Sequence, residues 1–206
     1  MRRLAPAASL AVALTLALAL AALPARALAD DDARVAASAE VGAFDRDFAL
    51  GVYYSNWSGS YGSSGVGFKI RWEPLDELGI ELVSEVLSVD TGGSGDRTII
   101  PAGFSLYVPI ALTGGVRVRP IAGLCTMLSF GEGKDGTASN DVLFGVHAGV
   151  GAEVALTGRW SLFADALYQG YFGHPQEGGA WSNAAKSDEI DRTDSFQATI
   201  GAAFHL

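Results

Sequence analysis

From Phe196 onward every second residue is apolar: Phe196, Ala198, Ile200, Ala202, Phe204 and Leu206, with Gln197, Thr199, Gly201, Ala203 and His205 between them. A period of two places each set on its own face of a β-strand. The pattern recurs at 141–156, where Phe144, Val146, Ala148, Val150, Ala152, Val154 and Leu156 interleave with Gly145, His147, Gly149, Gly151 and Glu153. At 159–172, Trp160, Leu162, Ala164, Ala166 and Tyr168 interleave with Ser161, Phe163, Asp165, Leu167 and Gln169. At 64–73, Val66, Phe68, Ile70 and Trp72 oppose Lys69, Arg71 and Glu73. Strand-forming stretches bounded by turn residues predict further strands at 47–57, 79–90, 97–112 and 115–129. With 193–206 the chain has eight.

The connections sort by length. "PLDEL", "TGG" and "TG" follow the second, fourth and sixth strands, whereas "GSYGS", "TGGSGD", "FGEGKDGTASN" and "GHPQEGGAWSNAAKSDEIDR" follow the odd ones. All short turns then fall at one end of the sheet and all long loops at the other, as in transmembrane barrels with short periplasmic turns and long outer loops. Backbone in hydrocarbon must close its hydrogen-bond ladder, so the last strand is expected to meet the first, with apolar side chains toward lipid and polar ones inside. The fold class predicted is all-β, an eight-stranded antiparallel up-and-down transmembrane barrel. Prolines 101, 109 and 120 fall inside the fourth and fifth strands and predict bulges there.

The chain opens with Arg2 and Arg3, an apolar run to Leu23, and Ala27-Leu28-Ala29 before a run of Asp. This is the form of a cleaved secretory signal over 1–29. A short polar periplasmic segment follows at 30–46, then the barrel over 47–206. Cleavage leaves 11 of the 14 Lys and Arg against 23 Asp and Glu, a mature charge of −12. So acidic a chain is a poor partner for nucleic acid, whose phosphates demand cations. The one cysteine, Cys125, has no internal disulfide partner and reads as a small apolar filler.

With the barrel in place, Lys69, Arg71, Glu73, Glu81, Glu85, Arg117, Arg119, Glu153 and Asp165 form an expected interior polar network, with His147 a further candidate. Folding the hairpins about Asp135 and Asp76 sets Arg117 opposite Glu153 and Arg71 opposite Glu81, each an expected ion pair. Two aromatic girdles are expected: Phe48, Trp72, Trp160 and Phe204 at the periplasmic end, and Tyr54, Phe144, Phe172 and Phe196 at the outer end. No spacing matches a calcium loop or a phosphate-binding loop, so no metal or cofactor is expected.

Strand count, loop asymmetry and an apolar final strand with Phe204 near its end resemble small outer-membrane β-barrel proteins of Gram-negative bacteria, the OmpA-like barrel superfamily, over 47–206. The resemblance implies residence in the outer membrane, with lipid and lipopolysaccharide around the barrel, insertion by the barrel-assembly machinery, and a monomer. The larger relatives' peptidoglycan-binding domain has no counterpart expected here. Family members commonly end in Phe, where this chain has Leu206. The function expected is structural or surface, without enzymatic activity. A narrow channel for small solutes, as in the OmpW family, is the alternative, and lipid A modification a weaker one. Lipid A deacylases pair a His with a nearby Ser on one strand. None of His147, His174 and His205 has a Ser two residues on.

Overall fold

The alternation is realised as a continuous antiparallel sheet in the computed structural model, which describes residues 47–59, 62–90, 96–112, 115–132, 138–173 and 191–206. The expected signal segment 1–29 and lead-in 30–46 lie outside the described residues. The strands are β1 Phe48–Gly59, β2 Ser63–Leu75, β3 Leu78–Asp90, β4 Asp96–Tyr107, β5 Ile110–Ala111, β6 Val116–Glu132, β7 Ala138–Ala155, β8 Trp160–Gly173 and β9 Asp191–His205. The two residues of β5 continue the line of β4, so the staves number eight. Neighbours follow chain order, β9 pairs with β1, and β4 pairs with β6 across the β5 interruption. The sheet is a closed up-and-down barrel without a free edge.

Each stave has two unlike faces. On β1, Ala49, Tyr53, Ser55 and Trp57 are buried in the lumen, while Leu50, Val52 and Tyr54 stand outside. Around the cylinder the outward face is apolar: Val52, Val66, Leu124 and Phe144 are each about two-thirds exposed (67, 64, 64 and 64%). The polar residues Lys69, Arg71, Glu81, Arg119, Glu153 and Asp165 are buried. This inverts a water-soluble barrel, whose charged face would point out.

The prolines correct one expectation. Through Pro101, Pro109 and Pro120 the β4–β6, β5–β6 and β6–β7 registers run without a shift. The register shift recorded lies instead between Trp72 and Leu75, at the β2–β3 turn. Each proline sits where its missing donor has least to bond. Pro101 faces a short gap in the β3–β4 ladder, between Ser84↔Ala102 and Leu87↔Ile99, after which pairing resumes in register. Pro109 lies past the last β3 partner, since that ladder ends at Gly79↔Tyr107. Val108 donates to the Pro120 carbonyl at 3.2 Å, and the reciprocal bond is the one proline cannot make. Prolines 109 and 120 thus share one local defect, which splits β4 from β5 and leaves both faces unchanged.

The connections correct another. The eleven-residue loop read at 130–140 is shorter, because Phe130↔Asn140 and Glu132↔Ala138 are still paired. One rim carries the turns at 76–77, 112–115 and 156–159, and the other the connections at 60–62, 91–95, 133–137 and 174–190. The contrast in length therefore rests mainly on 174–190.

One close approach fixes the short-turn rim. Gly79 is paired with Tyr107, and a Cβ at Gly79 would lie 2.1 Å from the Tyr107 ring. The ring is buried over this gap, and its hydroxyl donates to Glu73 at 2.7 Å. Gly79→Ala should lower stability by about 1–3 kcal/mol through overpacking. In a Tyr107→Ala background the same change should cost much less. Equilibrium unfolding in urea measures both, and equal costs in the two backgrounds would show that the ring is not what excludes the side chain.

Candidate functional site

An eight-stranded barrel leaves an interior that side chains can fill. Here they fill it in two storeys. The half nearer the short turns is ionic. Its centre is Glu153 on β7, fully buried, which the Arg71 guanidinium of β2 grips from across the lumen through both terminal nitrogens, one at 2.8 Å. Arg117 donates to the same carboxylate through Nε at 2.9 Å and to Glu73 through Nη1 at 2.8 Å. Ser161 donates to Glu153 as well, and His205 Nε2 lies 3.3 Å from it. A second knot forms around Asp165 on β8, which accepts from Lys69 Nζ at 2.6 Å, Arg119 Nη2 at 2.9 Å and Thr199 Oγ1 at 3.2 Å. Glu81 receives Lys69 at 3.1 Å and Arg119 at 3.5 Å, and Arg119 Nε, 3.8 Å from Glu153, joins the two knots. Gly151 gives this knot its room: a Cβ there would meet Asp165 Oδ1 at 2.2 Å.

Ring faces complete the ionic storey. Lys69 Nζ stands 4.4 Å from the Phe163 ring centre and 5.3 Å from that of Tyr53. The Arg71 guanidinium lies 5.5 Å from Phe163 and that of Arg119 5.3 Å from Tyr107. These cations are stripped of water, and the quadrupole of the ring replaces part of the lost hydration.

The storey toward the long connections is apolar. Trp57, Leu87, Val89, Ile99, Cys125, Met127, Leu143 and Tyr171 pack together inside the barrel, all buried. Trp57 and Tyr171 stack with centroids 6.1 Å apart. Between the storeys Glu85 accepts from Ser55 and from Gln197 at 2.8 Å. Gln197 in turn accepts from Gln169, which accepts from Tyr171. A cavity of about 30 Å³ lies here, bordered by Lys69, Glu85, Ser105, His147, Asp165 and Gln197.

Eight of the nine residues expected in the interior network are buried in the lumen, and Glu73 is half-buried at its rim. The two expected pairs fare differently. Arg117 and Glu153 face each other in the register and bond. Arg71 faces Glu81 in the register but sends its guanidinium across to Glu153. The partners that sequence reasoning missed are Ser161, His205, Gln169, Gln197, Ser55 and Ser105, along with the apolar storey. On β3 a signal for that storey was present. Ser84 and Ser88 alternate with Glu85, Leu87 and Val89, which puts serines outside and large apolar residues in.

The expected aromatics all point outward. Phe48 pairs with Trp72 and Trp160 with Phe204, the latter rings 5.0 Å apart, so these four adjoin across β2, β1, β9 and β8 at the short-turn rim. Phe144 pairs with Phe172. Tyr54 and Phe196 lie apart from that pair, beside Ile200 and Tyr168 respectively.

Two Ser–His contacts exist in space that strand spacing did not suggest: Ser105 Oγ to His147 Nε2 at 2.7 Å and Ser161 Oγ to His205 Nε2 at 2.9 Å. A nucleophile relay needs an acid on the other ring nitrogen. At His205 the carboxylate of Glu153 approaches the same Nε2 that meets the serine. Among the described residues no carboxylate hydrogen-bonds His147, and no three His, Cys, Asp or Glu group as metal ligands. These contacts satisfy buried polar groups.

No family model matches the chain, and no curated protein does. Solved structures do. The Neisserial surface protein A is similar at a TM-score of 0.58 and 13% identity, over 77% of this chain and 96% of that one. The outer membrane protein OprG from Pseudomonas aeruginosa gives 0.51 and 12%, over 78% and 96%. A major outer membrane protein from Thermus thermophilus gives 0.51 and 14%, over 77% and 99%. At such identities the likeness is one of fold, an eight-stranded barrel, and does not single out the OmpA-like superfamily.

Glu153 is shared by more cations than any other carboxylate in the lumen. Removing it strands buried guanidinium groups, which costs about 3–5 kcal/mol. Removing Arg117 leaves Glu153 with Arg71 and should cost less. Glu153→Ala is therefore expected to lower stability more than Arg117→Ala, and the double substitution to cost less than the two singles together. Urea unfolding from detergent micelles measures the cycle, and additive costs would show that the pair is not coupled.

Proposed function

We propose that the chain is an outer-membrane β-barrel with a structural or surface role and a lumen closed to solutes. The observation that carries this reading is the combination of an apolar exterior with a filled interior. Large apolar side chains cover the outward face of every stave, a surface that water does not tolerate at this extent and that acyl chains accept. Inside, the ionic storey and the apolar storey meet with a cavity of about 30 Å³ between them, space for about two water molecules. Lipid and lipopolysaccharide are then the barrel's surroundings, the assembly machinery its route in, and 1–29 its export signal. The long connections face outward from the cell, the short turns face the periplasm, and the outward aromatics mark the two interfaces. We read the barrel as one without enzymatic activity, in keeping with Glu153 meeting the same His205 nitrogen as Ser161. A narrow channel would require the Arg71–Glu153 and Lys69–Asp165 contacts to part.

Two measurements test the reading. Val52 projects from the middle of β1, so Val52→Arg should lower stability in phospholipid vesicles by about 2–4 kcal/mol. A neutral or stabilising effect would indicate a water-facing barrel. In planar bilayers the inserted wild-type protein should give no steady single-channel openings at neutral pH. Sustained openings would favour the channel.

A further inference from the structure

One buried carboxyl of the lumen stands apart from the ion pairs. Around the ionic knots stand the cations Lys69, Arg71, Arg117 and Arg119, and with them the carboxyl groups Glu73, Glu81, Glu85, Glu153 and Asp165. The other four carboxyls have ion-pair partners: Glu73 has Arg117, Glu81 has Lys69 and Arg119, Glu153 has Arg71, Arg117 and Arg119, and Asp165 has Lys69 and Arg119. Glu85 has none among the described residues. Its partners are neutral, Ser55 and Trp57 from β1 and Gln197 from β9.

Its surroundings offer no substitute. The charged and titratable groups that border the same cavity are Tyr53 on β1, Lys69 on β2, Glu81 on β3, Cys125 on β6, His147 on β7, and Asp165 and Tyr171 on β8. The nearest cation in that set, Lys69, is already shared between Asp165 and Glu81. From the other side Glu85 meets the apolar storey, where Leu87 is the next inward residue of its own strand. A carboxylate here would be a single uncompensated charge in a water-poor space, which is strongly unfavourable, whereas a carboxylic acid fits the same contacts. The proton can sit on the oxygen that meets Ser55, because a hydroxyl both donates and accepts.

We propose that Glu85 carries a proton in the folded barrel, and that loss of this proton is an alkaline switch that loosens the junction between the two storeys. The mechanical consequence follows from its bonds. Glu85 ties β3 to β1 and β9, and through Gln197, Gln169 and Tyr171 the tie continues to the apolar storey. Ionisation draws water toward the cavity and away from that packing. As long as Glu85 keeps its proton, the folded chain binds one proton more than the unfolded chain above the ordinary carboxylate range, so stability falls as pH rises until the proton is lost.

The full chain in detergent micelles or phospholipid vesicles allows the test. Infrared spectra of the folded wild type at neutral pH should contain the carbonyl band of a protonated carboxyl group. The band should be absent in Glu85→Gln and shifted in Ser55→Ala, which removes one hydrogen-bond partner and serves if the first variant does not fold. In urea unfolding, the wild type should lose folding equilibrium by up to about tenfold per pH unit as pH rises above the ordinary carboxylate range and before Glu85 ionises, a slope that Glu85→Gln removes while leaving the neutral-pH midpoint equal or higher. Absence of the wild-type band at neutral pH overturns the proposal. So does a Glu85→Gln midpoint that drops as far as that of Glu153→Gln, since this would reveal an ionised, paired Glu85.

Discussion

A cylinder of eight strands has little space at its axis, so a polar side chain that points inward must find its partner on another wall. The rest of this structure depends on that constraint. Arg71 of β2 reaches Glu153 of β7, and Lys69 of β2 reaches Asp165 of β8. Such contacts join staves that share no backbone ladder. The ladder makes the wall and the ionic storey ties it across the middle. Net stabilisation by buried ions is modest, because desolvation offsets most of the attraction. Breaking them costs more, since removal of Glu153 leaves the buried Arg71 guanidinium without its partner.

The same constraint is met differently toward the long connections. There the interior is built from Leu87, Ile99, Met127 and Leu143, which need no partners, and two aromatic side chains, Trp57 and Tyr171, close over them. On β3 this leaves serines on the outward face. A barrel can have a filled lumen by either route, and this one uses both in series. The prolines fit the same economy of backbone bonds. Pro120 withholds a donor from the place where Val108 and Pro109 interrupt the neighbouring stave, so two losses fall on one site and the register survives.

Likeness in fold to outer-membrane proteins at 12–14% identity is understandable on these terms. An outward face in lipid asks only for apolar bulk, and an antiparallel ladder asks only for alternation. Neither fixes particular residues. The interior does, because the position of each charge decides which stave it can reach, as around Glu153 and Asp165.

Much of this was legible in the sequence alone. Alternation at period two located eight staves to within a few residues, and hairpin arithmetic set Arg117 opposite Glu153, because both properties are local and repeat along one strand or one turn. Tertiary structure decided what depends on distance across the lumen. Arg71 passes over its cross-strand neighbour Glu81, since a long guanidinium stem can span a narrow barrel and Glu153 offers both oxygens to its fork. His205 and Ser161 sit on the consecutive staves β9 and β8, but the long connection at 174–190 hides that register from the chain. Glu85 could be read from the chain as one more inward carboxylate. Only the closed cylinder, by assigning every other charge a partner, distinguishes it from the rest.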